Sequence, residues 1–394
     1  MHCFWGWAWQ RPHIAASMLA KESEIDVYLP ADVGTQLVRN PIPPNLRLFP
    51  YGNWRRFFSE RFPEIIGNYD VAWFSGPPGF SLGCARIPDS VRVVYDCMDD
   101  FLAFPDVLAN PIKHARHCLD EVALVDRADL LFASSPTLAR RIAERYQPSS
   151  SIVVVKNATS IVDQPAAGAR KTTKRPPGLH MAYVGTVASW VDFALLISAL
   201  DEVPDAVCHL VGPLIVKPPS HPRLKFHGPK LHPDALAAMH DADLLLMPFV
   251  VDVLTEGVNP VKLYEYIHAG VPALAVAYGE SESFEDFVYL YRSSAEFIEM
   301  IKRASVNGLP PKKGPEAVPR FLQDNSWSQR GTLWRAAIAE MLERPAGRRS
   351  LPHLAYRREQ LSRIVGNFEM LARERAKQLA VHKHAASGPR KASL

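Results

Sequence analysis

Short apolar runs alternate with stretches of helical periodicity along nearly the whole chain. IDVYLP (25–30), DVAWFS (70–75), VRVVYD (91–96), LLFASS (130–135) and SIVVVKN (151–157) predict strands of one sheet. HMAYVGT (180–186), AVCHLVGP (206–213), LKFHG (224–228), DLLLMPF (243–249) and PALAVA (272–277) predict a second. PALAVA in particular, apolar throughout, reads as a short buried strand. Helical segments such as LDEVALVDRAD, DFALLISAL and HPDALAAMHDA lie between them, and strand–helix alternation of this kind predicts doubly wound parallel sheets. The polar, Pro- and Gly-containing stretch QPAAGARKTTKRPPG (164–178) interrupts the series and predicts a linker. The expected organisation is an α/β domain over 1–163, the linker over 164–178, a second α/β domain over 179–345 and a tail over 346–394.

Charge changes this picture at one end only. From Ala346 onward there are eleven Lys and Arg against three Asp and Glu, in a chain whose net charge is +4. The body is therefore mildly acidic, which argues against a nucleic-acid partner, and the tail is basic. Within that tail Leu361, Ile364, Val365, Phe368, Leu371 and Ala372 share a helical face near Arg358, Arg363, Arg373, Arg375 and Lys377. Such a helix suits either packing on the body or peripheral contact with an anionic membrane. No run reaches the length of a membrane span. The five cysteines, Cys3, Cys84, Cys97, Cys118 and Cys208, show no metal-type pairing, so a reducing cytoplasm and no structural zinc are expected.

The segment EGVNPVKLYEYIHAGVPALAV (256–276) carries candidate chemistry. Asn259 reads as a helix N-cap, Pro260 as the first helical residue, and Gly270 with Pro272 as the stop. In an α/β layer the amino end of this helix faces the cleft beyond the carboxyl ends of the strands. Its unpaired amides and partial positive charge suit a phosphate, and Lys262 adds a full charge. Glu265, one turn further, is placed to accept hydrogen bonds from a ribose diol. A weak surface ion pair between Lys262 and Glu265 is the competing explanation. Gly185 and Thr186 follow the first strand of the second domain, where a tight turn would aim backbone amides at a pyrophosphate. Neither domain opens with a GxGxxG motif, which weakens any nicotinamide-dehydrogenase reading.

The block NPVKLYEYIHAGVPALA resembles the donor-binding segment of GT-B glycosyltransferases, and other pieces follow in the expected order. WQRPHIAASMLA (9–20) and VVYDCMDDF (93–101) are similar to a bacterial subgroup related to teichuronic-acid and xanthan-type enzymes. ADLLFASSPTLARRI (128–142), VVVKNATS (153–160), YVGTVASWVDFALL (183–196), HLVGP (209–213) and DNSWSQRGTLW (324–334) extend the resemblance over roughly residues 4–345. It implies two Rossmann-like domains, with a nucleotide-sugar held mainly by the second and the acceptor by the first. The implied donor residues are Gly185, Thr186, Glu256, Asn259, Pro260, Val261, Lys262 and Glu265. It further implies no cofactor and no bound metal, the helix dipole and basic residues stabilising the leaving diphosphate. Two departures stand out. Many retaining members carry two glutamates eight positions apart, but here Gly257 precedes Glu265 at that distance, with Glu256 one residue out. Members also usually open with a full strand, whereas this chain offers only MHCF, so a truncated first strand is expected.

Asp96, Asp99 and Asp100 crowd one loop at a strand end. An inverting transferase needs one carboxylate to deprotonate its acceptor, and Asp99 and Asp100 are the candidates. Arg11 and His13 flank Pro12 at a helix start expected to face the cleft, where an acceptor phosphate could use them. Trp190 and Asp192 are placed to line the donor pocket or to pack. The expected activity is sugar transfer from a nucleotide diphosphate to a glycan or lipid-linked hydroxyl. The alternatives are a nucleotide-sugar epimerase of the same architecture and a degenerate, non-catalytic binding subunit.

Overall fold

The computed structural model describes residues 10–31, 42–159, 176–345 and 351–386. The expected truncation at the start of the chain and most of the linker lie outside these residues. Twelve strands form three sheets among the described residues, and every pairing is parallel. β1 (Ile25–Pro30) pairs with β2 (Leu46–Tyr51). β3 (Val71–Phe74), β4 (Arg92–Cys97), β5 (Leu130–Ala133) and β6 (Ile152–Val154) form a four-stranded sheet in that order. The third sheet has the order β12-β11-β10-β7-β8-β9. Its strands are β7 (His180–Val184), β8 (Val207–Val211), β9 (Leu224–Phe226), β10 (Leu244–Met247), β11 (Ala273–Val276) and β12 (Tyr289–Tyr291).

β2 and β12 are not among the predicted strands. Each is an edge strand with a single buried residue, Leu46 in β2 and Tyr291 in β12. An edge position also tolerates Pro50, which could not donate to a ladder in a sheet interior.

Two helices cross back to the first domain. Trp327–Glu343, grouped with the second domain by sequence, places Trp327, Trp334 and Met341 against Val94, Leu130 and Phe132. The long helix Pro352–Ala386 packs on the helix Pro111–Arg127, with Leu354 and Val365 buried and Glu369 paired to Arg116. The expected apolar stripe of the tail is thereby divided. Val365 faces the body, while Ile364 and Leu371 are exposed.

Across β7, β8 and the end of β9 runs a ladder of three histidines. His180 Nδ1 lies 3.1 Å from His209 Nε2, and His209 Nδ1 lies 2.9 Å from His227 Nε2. His180 Nε2 lies 3.0 Å from the Pro176 carbonyl oxygen, which can only accept. That end fixes every tautomer: His180 donates through Nε2, so its Nδ1 accepts from His209, whose Nδ1 in turn accepts from His227. Burial, then the neighbouring His227, His180 and Lys225, push His209 down to about 4. An unfolded histidine titrates near ~6.5, so the unfolded chain takes up the proton first. Stability held above that pH is lost as pH falls toward His209's own value. Nitrogen-15 spectra should show Nε2–H tautomers for His180 and His209 at neutral pH, and the second domain should melt progressively lower between about pH 6.5 and 4. An Nδ1–H tautomer at His209, or a flat melting temperature, would contradict the ladder.

Candidate active site

The sheet order reverses direction at β7: β8 and β9 follow on one side, β10 to β12 on the other. The crevice beyond the carboxyl ends of β7 and β10 is the topological switch point, where open α/β sheets bind ligands. The pairing of these two strands is confined to Leu244 with Met181 and Leu245 with Ala182. Beyond it the Tyr266 hydroxyl fills the split, accepting from the Val184 amide at 3.1 Å and donating to the Leu246 carbonyl at 3.1 Å. Tyr266 is fully buried and belongs to the helix Val261–Ala269, so this contact holds that helix over the crevice.

Lys262, in the first turn, lies directly across Gly185. A Cβ on Gly185 would fall 2.1 Å from Lys262 Cε and 2.6 Å from Nζ, and the residue has φ of +149°, a conformation side chains disfavour. Gly212, after β8, is equally constrained, because a Cβ there would fall 2.0 Å from the Gly185 carbonyl oxygen. The ammonium sits 5.5 Å from the ring centroids of both Tyr183 and Phe249, whose faces suit a cation. Thr186, next in the turn, accepts at its carbonyl from the Tyr183 hydroxyl at 2.7 Å.

Burial raises the Glu265 carboxyl to about 7, opposed by the charge of Lys262. Lys262 and Glu265 therefore act on each other electrostatically, and both remain partly accessible. The helix begins one residue later than its sequence suggests: Pro260 occupies the N-cap and Val261 is the first helical residue. Asn259 is not the cap because its side chain is drawn elsewhere, donating to Glu280 at 3.0 Å and accepting from Tyr264 at 3.2 Å. No side chain caps the first turn, which leaves that end suited to an anion. Asp192 instead caps the helix Phe193–Glu202 through the Leu195 amide, and Trp190 packs on the second core.

The three aspartates of the acidic loop have different surroundings. Asp96 is fully buried in a bidentate pair with Arg11, at 2.7 and 2.9 Å. Arg11 is itself 5% exposed, donates also to the Val155 carbonyl, and lies 5.1 Å over the Trp334 ring. The expected acceptor contact through Arg11 therefore gives way to a structural ion pair. His13 is fully buried, and its Nδ1 accepts from the Gln10 amide, closing the helix start rather than lining the cleft. Asp100 is held by Arg145 at 2.9 Å and by Arg141 at 3.5 Å. The Asp99 carboxylate has no hydrogen-bond or ion-pair partner among the described residues, and only its backbone carbonyl accepts, from the Cys97 thiol at 3.4 Å. Burial, only partly offset by Arg11 and reinforced by Asp100 and Asp96, raises it to about 7. Of the two candidate bases, Asp99 has the environment of one that exchanges protons near neutrality.

Glu256 and Gly257 sit where the two domains meet. Glu256 turns outward to Arg141 of the first domain at 2.8 Å, not toward the Lys262 crevice. A Cβ on Gly257 would fall 2.9 Å from Leu138 Cδ2, so the first domain fills the space a side chain would take. Ser135 donates to the Gly257 carbonyl at 2.7 Å, Asn157 to the Asn259 carbonyl at 2.9 Å, and Lys156 pairs with Glu280 at 3.3 Å. Sequence spacing could not find Arg141, Lys156, Tyr266 or Glu280 as partners of the site, since their contacts join distant parts of the chain. Among the described residues no cluster of three or more His, Cys, Asp or Glu is arranged to hold a metal.

This two-domain architecture is the GT-B fold. The chain superposes on HepE of Anabaena, solved in complex with UDP and glucose, with a TM-score of 0.59 and 15% identity. That match covers 87% of this chain and 98% of HepE. It is similar in structure to sucrose-phosphate synthase of Thermosynechococcus elongatus, with a TM-score of 0.59 and 16% identity over 84% and 91% of the two chains. A glycosyltransferase of Rickettsia africae gives a TM-score of 0.60 at 13% identity, over 84% and 94%. In sequence, the chain is 22% identical over 279 residues to a Bacillus subtilis (strain 168) protein with the provisional name teichuronic acid biosynthesis glycosyltransferase TuaH. That alignment spans 65% of this chain and 70% of the relative. No protein-family model matches the chain. The chain thus has the GT-B fold, and in sequence it is similar to a bacterial glycosyltransferase.

The contact between Gly185 and Lys262 yields a direct prediction. Gly185→Ala must push the lysine out of the crevice and should weaken nucleoside diphosphate binding at least about tenfold, the loss of one charged hydrogen bond. Calorimetry on a variant that still unfolds cooperatively checks it, and unchanged affinity would remove Lys262 from the site.

Proposed function

We propose that this enzyme transfers a sugar from a nucleoside diphosphate donor to a hydroxyl of a glycan or lipid-linked acceptor in surface polysaccharide synthesis. One observation carries the reading: Lys262 lies over Gly185 at the switch point, under an uncapped helix start, with Glu265 one turn along. The diphosphate would take the helix amides and Lys262, and Glu265 would hold the ribose hydroxyls. Asp99 would remove the proton from the acceptor hydroxyl as its oxygen bonds to the anomeric carbon. The bond from that carbon to the diphosphate breaks, and Lys262 with the helix dipole stabilises the charge that develops. The proposed reaction uses no metal or cofactor.

A panel of nucleotide-sugars scored for thermal shift and diphosphate release tests the reading, with chelator added in a parallel series. Glu265→Ala should weaken donor binding by about 1.5–3 kcal/mol, the worth of hydrogen bonds to a charged group. Asp99→Asn should abolish most turnover with donor affinity near wild type. Because the Asp99 carboxyl must be ionised to accept the proton, wild-type kcat should rise with pH through about 7. Full activity in Asp99→Asn would remove it as the base, and no diphosphate release with any donor would overturn the function.

A lipid-linked acceptor is favoured by exposed apolar side chains in the loops after β8 and β10, namely Leu214, Ile215, Val250, Val251 and Val253. Ile364, Met370 and Leu371 of the long helix are also exposed beside basic residues, and we propose peripheral contact of this helix with the inner membrane face. No helix among the described residues is long and apolar enough to cross a membrane. The protein should co-sediment with anionic vesicles, less so at high salt and after deletion beyond Arg349. Equal partitioning of full-length and deleted protein would contradict this contact.

A further inference from the structure

We infer that Arg141 is a positioning residue that holds the acidic loop of the first domain in register with the donor segment of the second. The inference rests on the proposed sugar transfer and adds to it a residue that touches neither substrate. Arg141 projects from the helix Pro136–Tyr146 and reaches two otherwise separate parts of the site. Its guanidinium donates to Glu256 at 2.8 Å and to the Val253 carbonyl, both in the strap that leads into the donor helix. The same group lies 3.5 Å from Asp100, the immediate neighbour of Asp99. The guanidinium reaches these acceptors from two nitrogens in a fixed plane, whereas an ammonium would have to reach all three from a single nitrogen.

The surroundings make the link stiff. Ser135, which caps the Arg141 helix through the Leu138 amide, also donates to the Gly257 carbonyl at 2.7 Å. A Cβ on Gly257 would fall 2.9 Å from Leu138 Cδ2 and 3.5 Å from Arg141 Nη1, so both side chains fill that space. Asp100 is 2% exposed and fixed from its other side by Arg145 at 2.9 Å. A shift of the strap is therefore passed through Arg141 to Asp100 and so to the backbone that carries Asp99. Misplacement of a reacting group by about 1 Å costs on the order of a hundredfold in rate. The groups that face Asp99 are Arg11, Asp96 and Asp100, so Arg141 acts on it through Asp100 and the loop.

Arg141→Lys, Arg141→Ala and Glu256→Gln should be compared with wild type using whichever nucleotide-sugar the wild type turns over. Glu256 is half exposed, so its variant should fold even where loss of Arg141 does not. The expected result is a kcat lower by roughly ten- to a hundredfold for the Arg141 variants, donor affinity within about twofold of wild type, and partial rescue by Lys. The acid limb of their pH profile should also move upward, as Asp100 loses part of its cationic cover. Glu256→Gln should show the same split in milder form. A wild-type enzyme with no turnover would overturn the proposed function itself. Active wild type with folded variants of unchanged kcat, or with losses confined to donor affinity, would overturn the role of Arg141 alone.

Discussion

A single buried hydroxyl determines where the candidate site lies. β7 and β10 must part beyond their short register, because β7 feeds strands on one side of the sheet and β10 on the other. Parting leaves the Val184 amide and the Leu246 carbonyl without a ladder partner in a water-free interior, a cost of a kcal/mol or more for each group. Tyr266 answers both with one oxygen. In doing so it locks the helix that carries it, and Lys262 and Glu265 follow from the pitch of that helix. The glycines at 185 and 212 are the complement: with that helix fixed, the backbone beneath Lys262 has no room for a Cβ.

The first domain solves an electrostatic problem instead. Three aspartates in five residues cannot all stay ionised in a buried loop unless cations are supplied. The fold pairs Arg11 with Asp96, and Arg145 and Arg141 with Asp100, while Asp99 is paired with no cation and feels Arg11 only at a distance. Deeper in, Glu121 is hydrogen-bonded by Tyr95 at 2.9 Å and by Tyr146, and faces Arg145 at 3.3 Å. The network fixes the loop and leaves the Asp99 carboxylate without a paired cation and partly exposed. This division of charge separates a candidate base from two structural carboxylates of the same type.

The meeting of the domains accounts for the departure from the paired-glutamate pattern. At Gly257 a side chain is excluded because Leu138 of the first domain packs there, and Glu256 is engaged outward by Arg141. Contact between the domains thus puts apolar packing at the position where the paired-glutamate pattern has a carboxylate. The second glutamate of the pattern, Glu265, remains beside Lys262, raised toward neutrality by its burial.

The ten strands with continuous apolar runs, their parallel arrangement and the helix bearing Lys262 and Glu265 were legible in the sequence. Apolar runs and turn residues are properties of neighbouring positions, and local physics sufficed to read them. β2 and β12, edge strands with one buried residue each, were not read as strands, whereas the edge strands β6 and β9 were. The roles of Arg11 and His13, the difference between Asp99 and Asp100, and the reach of Arg141 were not legible. Arg11 meets Asp96 and Trp334, residues far along the chain, and Arg141 meets Glu256 in the other domain. Charge and hydrogen-bonding capacity are fixed by residue type, but which partner uses them depends on separation in space. Only the packing of the two domains sets that separation.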